Sequence, residues 1–159
     1  MQKNYVTAQN AASTGVIAGI GLLALRLLLA YEFFEAGLQK FNGENWFTQI
    51  QDAFPFPFNL IPAELNWNLA MGAELLLPVL LVLGLFTRFS AISLAILTVV
   101  AWVSVHQGNG YNVCDNGYKM ALIYLVILLP IIAQGAGRLS VDYFLQKNFL
   151  AKRTWLKYL

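Results

Sequence analysis

The sequence predicts an all-α integral membrane protein: a four-helix bundle with an outer aromatic and proline-rich loop and a C-terminal amphipathic helix at the membrane interface. Three observations predict this fold. The 159 residues are 58% hydrophobic and only 11% charged, whereas soluble domains carry about 25% charged residues. Four apolar segments are long enough to cross roughly 30 Å of hydrocarbon. The cationic residues are also distributed unequally along the chain, as membrane topology requires.

The four predicted spans divide the chain in order. They cover residues 14–38, 64–85, 89–106 and 118–134, and we treat residues 1–159 as one membrane domain. Arg26 interrupts the first apolar run and no small-residue cleavage site follows, so we expect an uncleaved span rather than a signal peptide. The stretch GLFTR predicts a short link between the second and third spans.

Lysines and arginines beside the spans predict the orientation. Seven lie on one side, namely Lys3, Arg88, Arg138, Lys147, Lys152, Arg153 and Lys157, and two lie on the other, Lys40 and Lys119. Because cytoplasmic loops carry the excess of Lys and Arg, both termini are predicted to be cytoplasmic and both long loops to face outward.

The tail, residues 139–159, is too interrupted by polar residues to span. Ser140 is a candidate N-cap and Asp142 falls in the first turn, where an acid complements the helix dipole. Apolar residues then recur on one face, at Val141, Phe144, Leu145, Phe149, Trp155, Leu156 and Leu159. This pattern predicts a helix lying in the interface, either as a simple anchor or as a docking surface.

The outer loop, residues 42–63, is rich in aromatic residues. Trp46, Phe47, Ile50 and Phe54 recur at helical spacing, so a short helix is predicted, while the prolines of FPFPFNLIP forbid a regular helix after it. The loop is interpreted either as an aromatic anchor at headgroup level or as a lid over the outer mouth of the bundle.

Charges inside the spans require partners, because a charge near a helix centre costs about 2.5–3.5 kcal/mol even on insertion scales. Counting residues from the predicted outer ends places Arg26 roughly 18 Å and Glu74 roughly 15 Å below the outer surface. An Arg26–Glu74 ion pair is therefore predicted. Such a pair can be a structural clamp, part of a ligand pocket or part of a proton pathway.

The ionisable groups also predict an outward-facing polar cup that binds a small ligand. Its predicted members are Arg26, Glu32, Glu35, Lys40, Glu74 and His106, with residues 46–58 near the mouth. A quinone is one candidate, since its carbonyls accept hydrogen bonds while its tail lies in lipid. We predict no metal site, because a metal usually needs three or four protein ligands and the chain has one cysteine, Cys114, and one histidine. His106 is interpreted as a polar residue that caps the end of its span or, alternatively, as a metal ligand.

Three stretches resemble the DoxX family of four-helix bacterial membrane proteins. The first span carries Arg26, Gly37 and Lys40; GAELLLPVLLVLGLFTR carries Glu74, Pro78, Gly84, Thr87 and Arg88; and GAGRLSVD carries Gly135, Gly137, Ser140 and Asp142. The family often has an acidic residue near the start of the fourth span, where this chain has Lys119.

The resemblance implies a multi-pass protein of the bacterial plasma membrane. It indicates the function less specifically. Some relatives are linked to thiosulfate:quinone oxidoreduction, to oxidant-defence assemblies or to the maturation of small metal-binding peptides. We therefore expect an accessory or anchoring subunit of a redox or peptide-maturation system, with a soluble or membrane enzyme as partner and no nucleic acid. The alternative is a self-sufficient membrane enzyme or transporter that uses the same cup. The sequence leaves homo-oligomerisation open.

Overall fold

A computed structural model describes the backbone of residues 2–155 and the side chains of residues 17–148. The described chain is helical and contains no strand, which confirms the predicted all-α class. The α-helices are α1 (Gln2–Asn42), α2 (Ala63–Leu83), α3 (Thr87–Ala101), α4 (Lys119–Gln134) and α5 (Val141–Trp155), and a π-helical turn, Trp102–His106, continues α3.

Three of the helical segments are long and apolar enough to cross a membrane. They are Ile17–Asn42, Ala63–Leu83 and Thr87–His106, and they match the first three predicted spans. The fourth predicted span forms α4, which is apolar but has only 16 residues. A complete fourth crossing therefore stays a prediction.

The helices pack side by side around an aliphatic core. Helix α1 packs mainly against α2, α2 against α3, and α4 against both α3 and α1. Fully buried leucines occupy the centre, with Leu29 from α1, Leu81 from α2, Leu94 from α3 and Leu128 from α4. The close packing of these side chains, each making many weak dispersion contacts, holds the four helices together.

The predicted tight link between the second and third spans is present. Gly84 adopts φ +67°, its N–H donates to the Leu81 carbonyl, and the Leu85 N–H donates to the Leu80 carbonyl. This pair of bonds is a Schellman motif, in which a left-handed glycine ends a helix and satisfies its last carbonyls. We call this end of the molecule, where α2 meets α3 and α4 meets α5, the link end.

Both long loops lie at the opposite end, the loop end. The loop between α1 and α2 forms two 3₁₀ turns, Phe47–Ala53 and Phe58–Leu60, so the short helix predicted from aromatic spacing is present as a 3₁₀ helix. Two side-chain amides hold the backbone of this loop in place. Gln51 Nε2 donates to the carbonyls of Asn59 and Ile61, and Nδ2 of the buried Asn66 donates to those of Phe58 and Ile61. Backbone carbonyls of an irregular segment packed into a membrane protein need such partners.

The N-terminus of α5 forms as predicted. Ser140 Oγ accepts a hydrogen bond of 3.1 Å from the Tyr143 N–H, which is the bond that an N-cap makes to the third helical residue. Phe144 and Leu145 are exposed, as are the polar residues Gln146 and Lys147 beside them. The side chains of Phe149 and Trp155, and all of Leu156 and Leu159, lie outside the described part, so the interfacial position of this helix stays a prediction.

Candidate functional site

A cavity of about 310 Å³ lies between α2 and α3 in the half of the molecule nearest the loop end. Four aromatic side chains of the α1–α2 loop cover it: Trp46, Phe47, Phe54 and Phe58. Its walls are mostly apolar and come from the two helices: Asn66, Leu69, Ala70 and Ala73 from α2, and Ser93, Ile96, Leu97, Val100, Ala101 and Val105 from α3 and its π-helical turn. Lys40 and Glu74 complete the lining.

The aromatic side chains that cover the cavity are closely packed. Phe47, Phe54 and Trp67 are buried together, and the Phe47 ring meets the Trp67 ring edge-on at 5.1 Å between centroids. Such edge-to-face contacts add to the stabilisation from burial. The arrangement favours the interpretation of this loop as a lid.

Lys40 and Glu74 form an ion pair that lines the cavity. Lys40 Nζ donates to Glu74 Oε1 at 2.9 Å and lies 2.7 Å from Oε2. The side chains are 15% and 5% exposed, so the pair is largely removed from solvent. Both carboxylate oxygens contact the ammonium group, and because each oxygen has two lone pairs, the carboxylate retains the capacity to accept a further hydrogen bond.

Gly37 explains why the two charges meet. A Cβ at this position would lie 3.0 Å from the backbone carbon of Glu74, so the absent side chain lets α1 and α2 approach closely, as small residues do between membrane helices. Lys40 stands about one turn further along α1 on the same face. Its side chain therefore reaches the carboxylate of Glu74.

The predicted Arg26–Glu74 ion pair is wrong. Arg26 is fully buried, and its Nη1 and Nη2 donate to the main-chain carbonyls of Leu81 (3.1 Å) and Leu139 (2.6 Å) at the link end. The prediction failed because it counted depth from assumed helix ends. Gly37 is level with Glu74, so Arg26, eleven residues earlier on α1, lies roughly 16 Å from that level.

Arg26 instead belongs to a compact polar cluster at the link end. A Cβ at Gly84 would collide with its guanidinium group and would lie 2.5 Å from the Cβ of Ser140. Asp142 accepts hydrogen bonds of 3.0 Å from the backbone N–H groups of both Phe86 and Thr87. A carboxylate of α5 thus caps the start of α3, where orphan N–H groups and the helix dipole favour a negative charge.

The other predicted cup residues lie apart from the Lys40–Glu74 pair. Glu32 Oε2 accepts a hydrogen bond of 2.5 Å from the Tyr124 hydroxyl, between α1 and α4. Glu35 is exposed on the outer surface of α1. His106 Nδ1 donates to the Asn116 carbonyl at 2.8 Å in the loop end. The structure therefore brings together two of the six predicted residues, and four aromatic residues of the range 46–58 line the same cavity.

Several residues of the site were missed by sequence reasoning. Asn66, Ala70 and Ala73 line the cavity, but small and amide residues on an apolar helix carry no distinctive signal. One available signal was overlooked: Arg26 and Lys40 share a face of α1, so either could have been the partner of Glu74. Among the described residues, no group of three or more His, Cys, Asp or Glu could hold a metal ion.

Fold and cavity together define an all-helical integral membrane protein with an ion pair lining a mostly apolar cavity. The chain belongs to the DoxX family, whose model matches residues 21–107, a range that contains Arg26, Lys40, Glu74 and the α2–α3 link. The GAGRLSVD stretch lies beyond that match, yet its Ser140 and Asp142 lie against the link, so part of each resembling stretch meets at the link end.

Two relatives come from Haemophilus influenzae, each described as an uncharacterized protein. One is 61% identical over 145 residues, which cover 91% of this chain and 95% of the relative. The other is 30% identical over 133 residues, which cover 76% of this chain and 87% of the relative. No solved structure matches the chain significantly.

Proposed function

We propose that this protein is a membrane accessory subunit that holds a small amphipathic ligand in the α2–α3 cavity. The observation that carries the proposal is the shape and chemistry of that cavity. Its volume of about 310 Å³ falls at the lower end of the range for small-molecule sites, which are mostly apolar with a few convergent polar groups. Here the convergent groups are Lys40 and Glu74.

The charges of the Lys40–Glu74 pair indicate what kind of polar head group the ligand has. Lys40 and Glu74 neutralise each other, so a neutral head fits better than an ion. The Lys40 ammonium group donates hydrogen bonds and the Glu74 carboxylate accepts them, so the head should both accept and donate. A quinone accepts through its carbonyls, and its reduced form donates through its hydroxyls.

The apolar part of the ligand would lie between α2 and α3. Leu69 and Ile96 line the cavity and are themselves half exposed on the outer surface of the helices. A tail could therefore pass between them into lipid. Of the six residues predicted to bind the ligand, we propose that Lys40 and Glu74 contact it, since Arg26, Glu32, Glu35 and His106 have other surroundings.

The proposed accessory role rests on the family resemblance alone, and the proposed location rests on the charge distribution. The resemblance to the DoxX family implies that the chain accompanies a redox or peptide-maturation enzyme, and we propose such a partner here. The cationic residues favour a bacterial plasma-membrane protein with the link end and both termini cytoplasmic. The cavity would then lie in the outer half of the membrane, beneath the lid.

Tryptophan fluorescence offers a direct test of ligand binding, because Trp46 lines the cavity. We expect decylubiquinone to quench the fluorescence of the purified protein saturably. Ala70→Leu, which fills the cavity, should abolish this quenching, as should the apolar double variant Lys40→Met/Glu74→Leu. The matched control Leu76→Phe adds bulk to α2 outside the cavity, at a residue that is 60% exposed, and should bind like the wild type.

Two outcomes would count against the proposal. The first is the absence of saturable quenching together with the absence of any amphiphile in an organic extract of the purified protein. The second is equal binding by the wild type and Ala70→Leu. Turnover of a quinone or transport of a solute by the isolated chain in vesicles would instead support the alternative, a self-sufficient enzyme or transporter that uses the same cavity.

A further inference from the structure

An exposed carboxylate lies in a groove on the outer surface of the molecule. The groove runs between α1 and α2, and Glu35 is among its lining residues. The rest of the described lining is apolar apart from one phenol: Tyr31, Phe34 and Leu38 come from α1, and Pro78, Val79 and Val82 from α2. Glu35 and Tyr31 are both exposed.

Glu35 lies at a depth where lipid chains would surround the protein. Helices α1 and α2 are antiparallel, and Gly37 packs against the backbone of Glu74. Glu35, two residues earlier, is therefore level with residue 76 of α2. At 1.5 Å per residue that level is roughly 20 Å from the start of α2 and roughly 10 Å from its end, well within the candidate span Ala63–Leu83.

The other acidic side chains of the candidate spans at comparable depth have partners, whereas Glu35 has none among the described residues. Glu32 accepts from Tyr124, and Glu74 pairs with Lys40. No hydrogen bond or ion pair of Glu35 occurs within the described chain. Ionisable residues inside a membrane are costly, and they almost always pair or face a polar cavity.

We propose that this groove, with its exposed residues Tyr31, Phe34, Glu35, Leu38, Val79 and Val82, docks a transmembrane helix of a different protein, whose basic side chain pairs with Glu35. Charge complementarity favours this occupant. A second copy of the chain would bring two Glu35 carboxylates to one depth across a two-fold interface, and Tyr31 is the only donor side chain among the described lining residues. A lysine or arginine on a foreign helix satisfies the carboxylate directly.

The proposal extends the accessory role and names the kind of partner it requires. It rests on that role but not on the ligand, because the groove and the α2–α3 cavity share no lining residue. Failure of quinone binding and failure of helix docking can therefore be told apart.

Model transmembrane peptides in lipid vesicles test the docking surface whatever the identity of the natural partner. Three polyleucine peptides carry lysine, glutamine or leucine at the central position, and energy transfer to the labelled full chain measures association. We expect the lysine peptide to bind about ten-fold more tightly than the leucine peptide, the scale of one interhelical polar contact in lipid. Glu35→Gln should remove this preference.

Glu32→Gln is the matched control, since it neutralises a neighbouring carboxylate that already has a partner; it should keep the preference for lysine. Val79→Trp, which fills the groove and leaves Glu35 in place, should weaken binding of the lysine peptide. Equal binding of the three peptides, or a lysine preference that survives Glu35→Gln, would overturn the proposal. So would self-association of the wild-type chain that Glu35→Gln abolishes, which would assign the groove to a second copy.

Discussion

Three charges inside the predicted spans are accommodated in three different ways. Arg26 donates to two main-chain carbonyls, Glu74 pairs with Lys40, and Glu32 accepts from a tyrosine hydroxyl. These arrangements differ in whether the charged group remains accessible to a ligand. The guanidinium bonds and the tyrosine bond lie between packed helices, whereas the Lys40–Glu74 pair lines a cavity. Of these three arrangements, the Lys40–Glu74 pair is the one that we propose to contact a small ligand.

The Lys40–Glu74 pair is expected to show strong energetic coupling. Lys40→Met or Glu74→Leu alone should lower the free energy of unfolding by about 3–5 kcal/mol, because each leaves an uncompensated buried charge. The double variant should recover most of that loss, since apolar side chains of similar size fit a membrane interior. Denaturant unfolding in detergent measures all three variants. A double-mutant cycle with coupling near zero would contradict the pair.

At the scale of elements, the link end is fixed by contacts that cross between helices. Helix α5 begins at its own cap, Ser140, and its first turn supplies Asp142 to the N-terminus of α3. Gly84 makes room for Arg26 and Ser140 at the same place. The position of α5 is therefore tied to the α2–α3 turn through backbone groups.

Asp142 is expected to stabilise the start of α3 and not only its own helix. Asp142→Ala should cost about 1–2 kcal/mol, the scale of a lost helix cap, because the N–H groups of Phe86 and Thr87 lose their acceptor. Asp142→Asn keeps one acceptor oxygen and should cost less. Amide hydrogen exchange at Phe86 and Thr87 should quicken in Asp142→Ala. Unchanged exchange there, with faster exchange confined to α5, would show that the carboxylate serves only its own helix.

For the whole molecule, the orientation in the membrane can be read from its single cysteine. Cys114 is exposed in the loop between α3 and α4, which the cationic residues predict to face outward. A membrane-impermeant maleimide should therefore label Cys114 in intact cells, and Cys114→Ser should abolish labelling. A C-terminal tag should be accessible only after the inner membrane is permeabilised. If Cys114 were labelled only after permeabilisation while the tag was accessible beforehand, the orientation would be the opposite of the predicted one.

The amino-acid sequence by itself determined the all-α class, three of the spans, the tight α2–α3 link and the cap of α5. These features depend on local properties of the sequence. They are the length of an apolar run, a glycine that tolerates positive φ, and a serine whose hydroxyl accepts a hydrogen bond from the N–H three residues later. The DoxX resemblance was likewise readable, because its residues recur at fixed spacings along the chain.

Only the tertiary structure decided which charges meet. The level of one helix against the next depends on where two backbones can approach, and Gly37 sets that level by admitting the backbone of Glu74. A shift of α1 by a few residues, at 1.5 Å per residue, would already separate Lys40 from Glu74. The cavity arises in the same way, because its lining is assembled from α1, α2, α3 and a loop that no local pattern relates to one another.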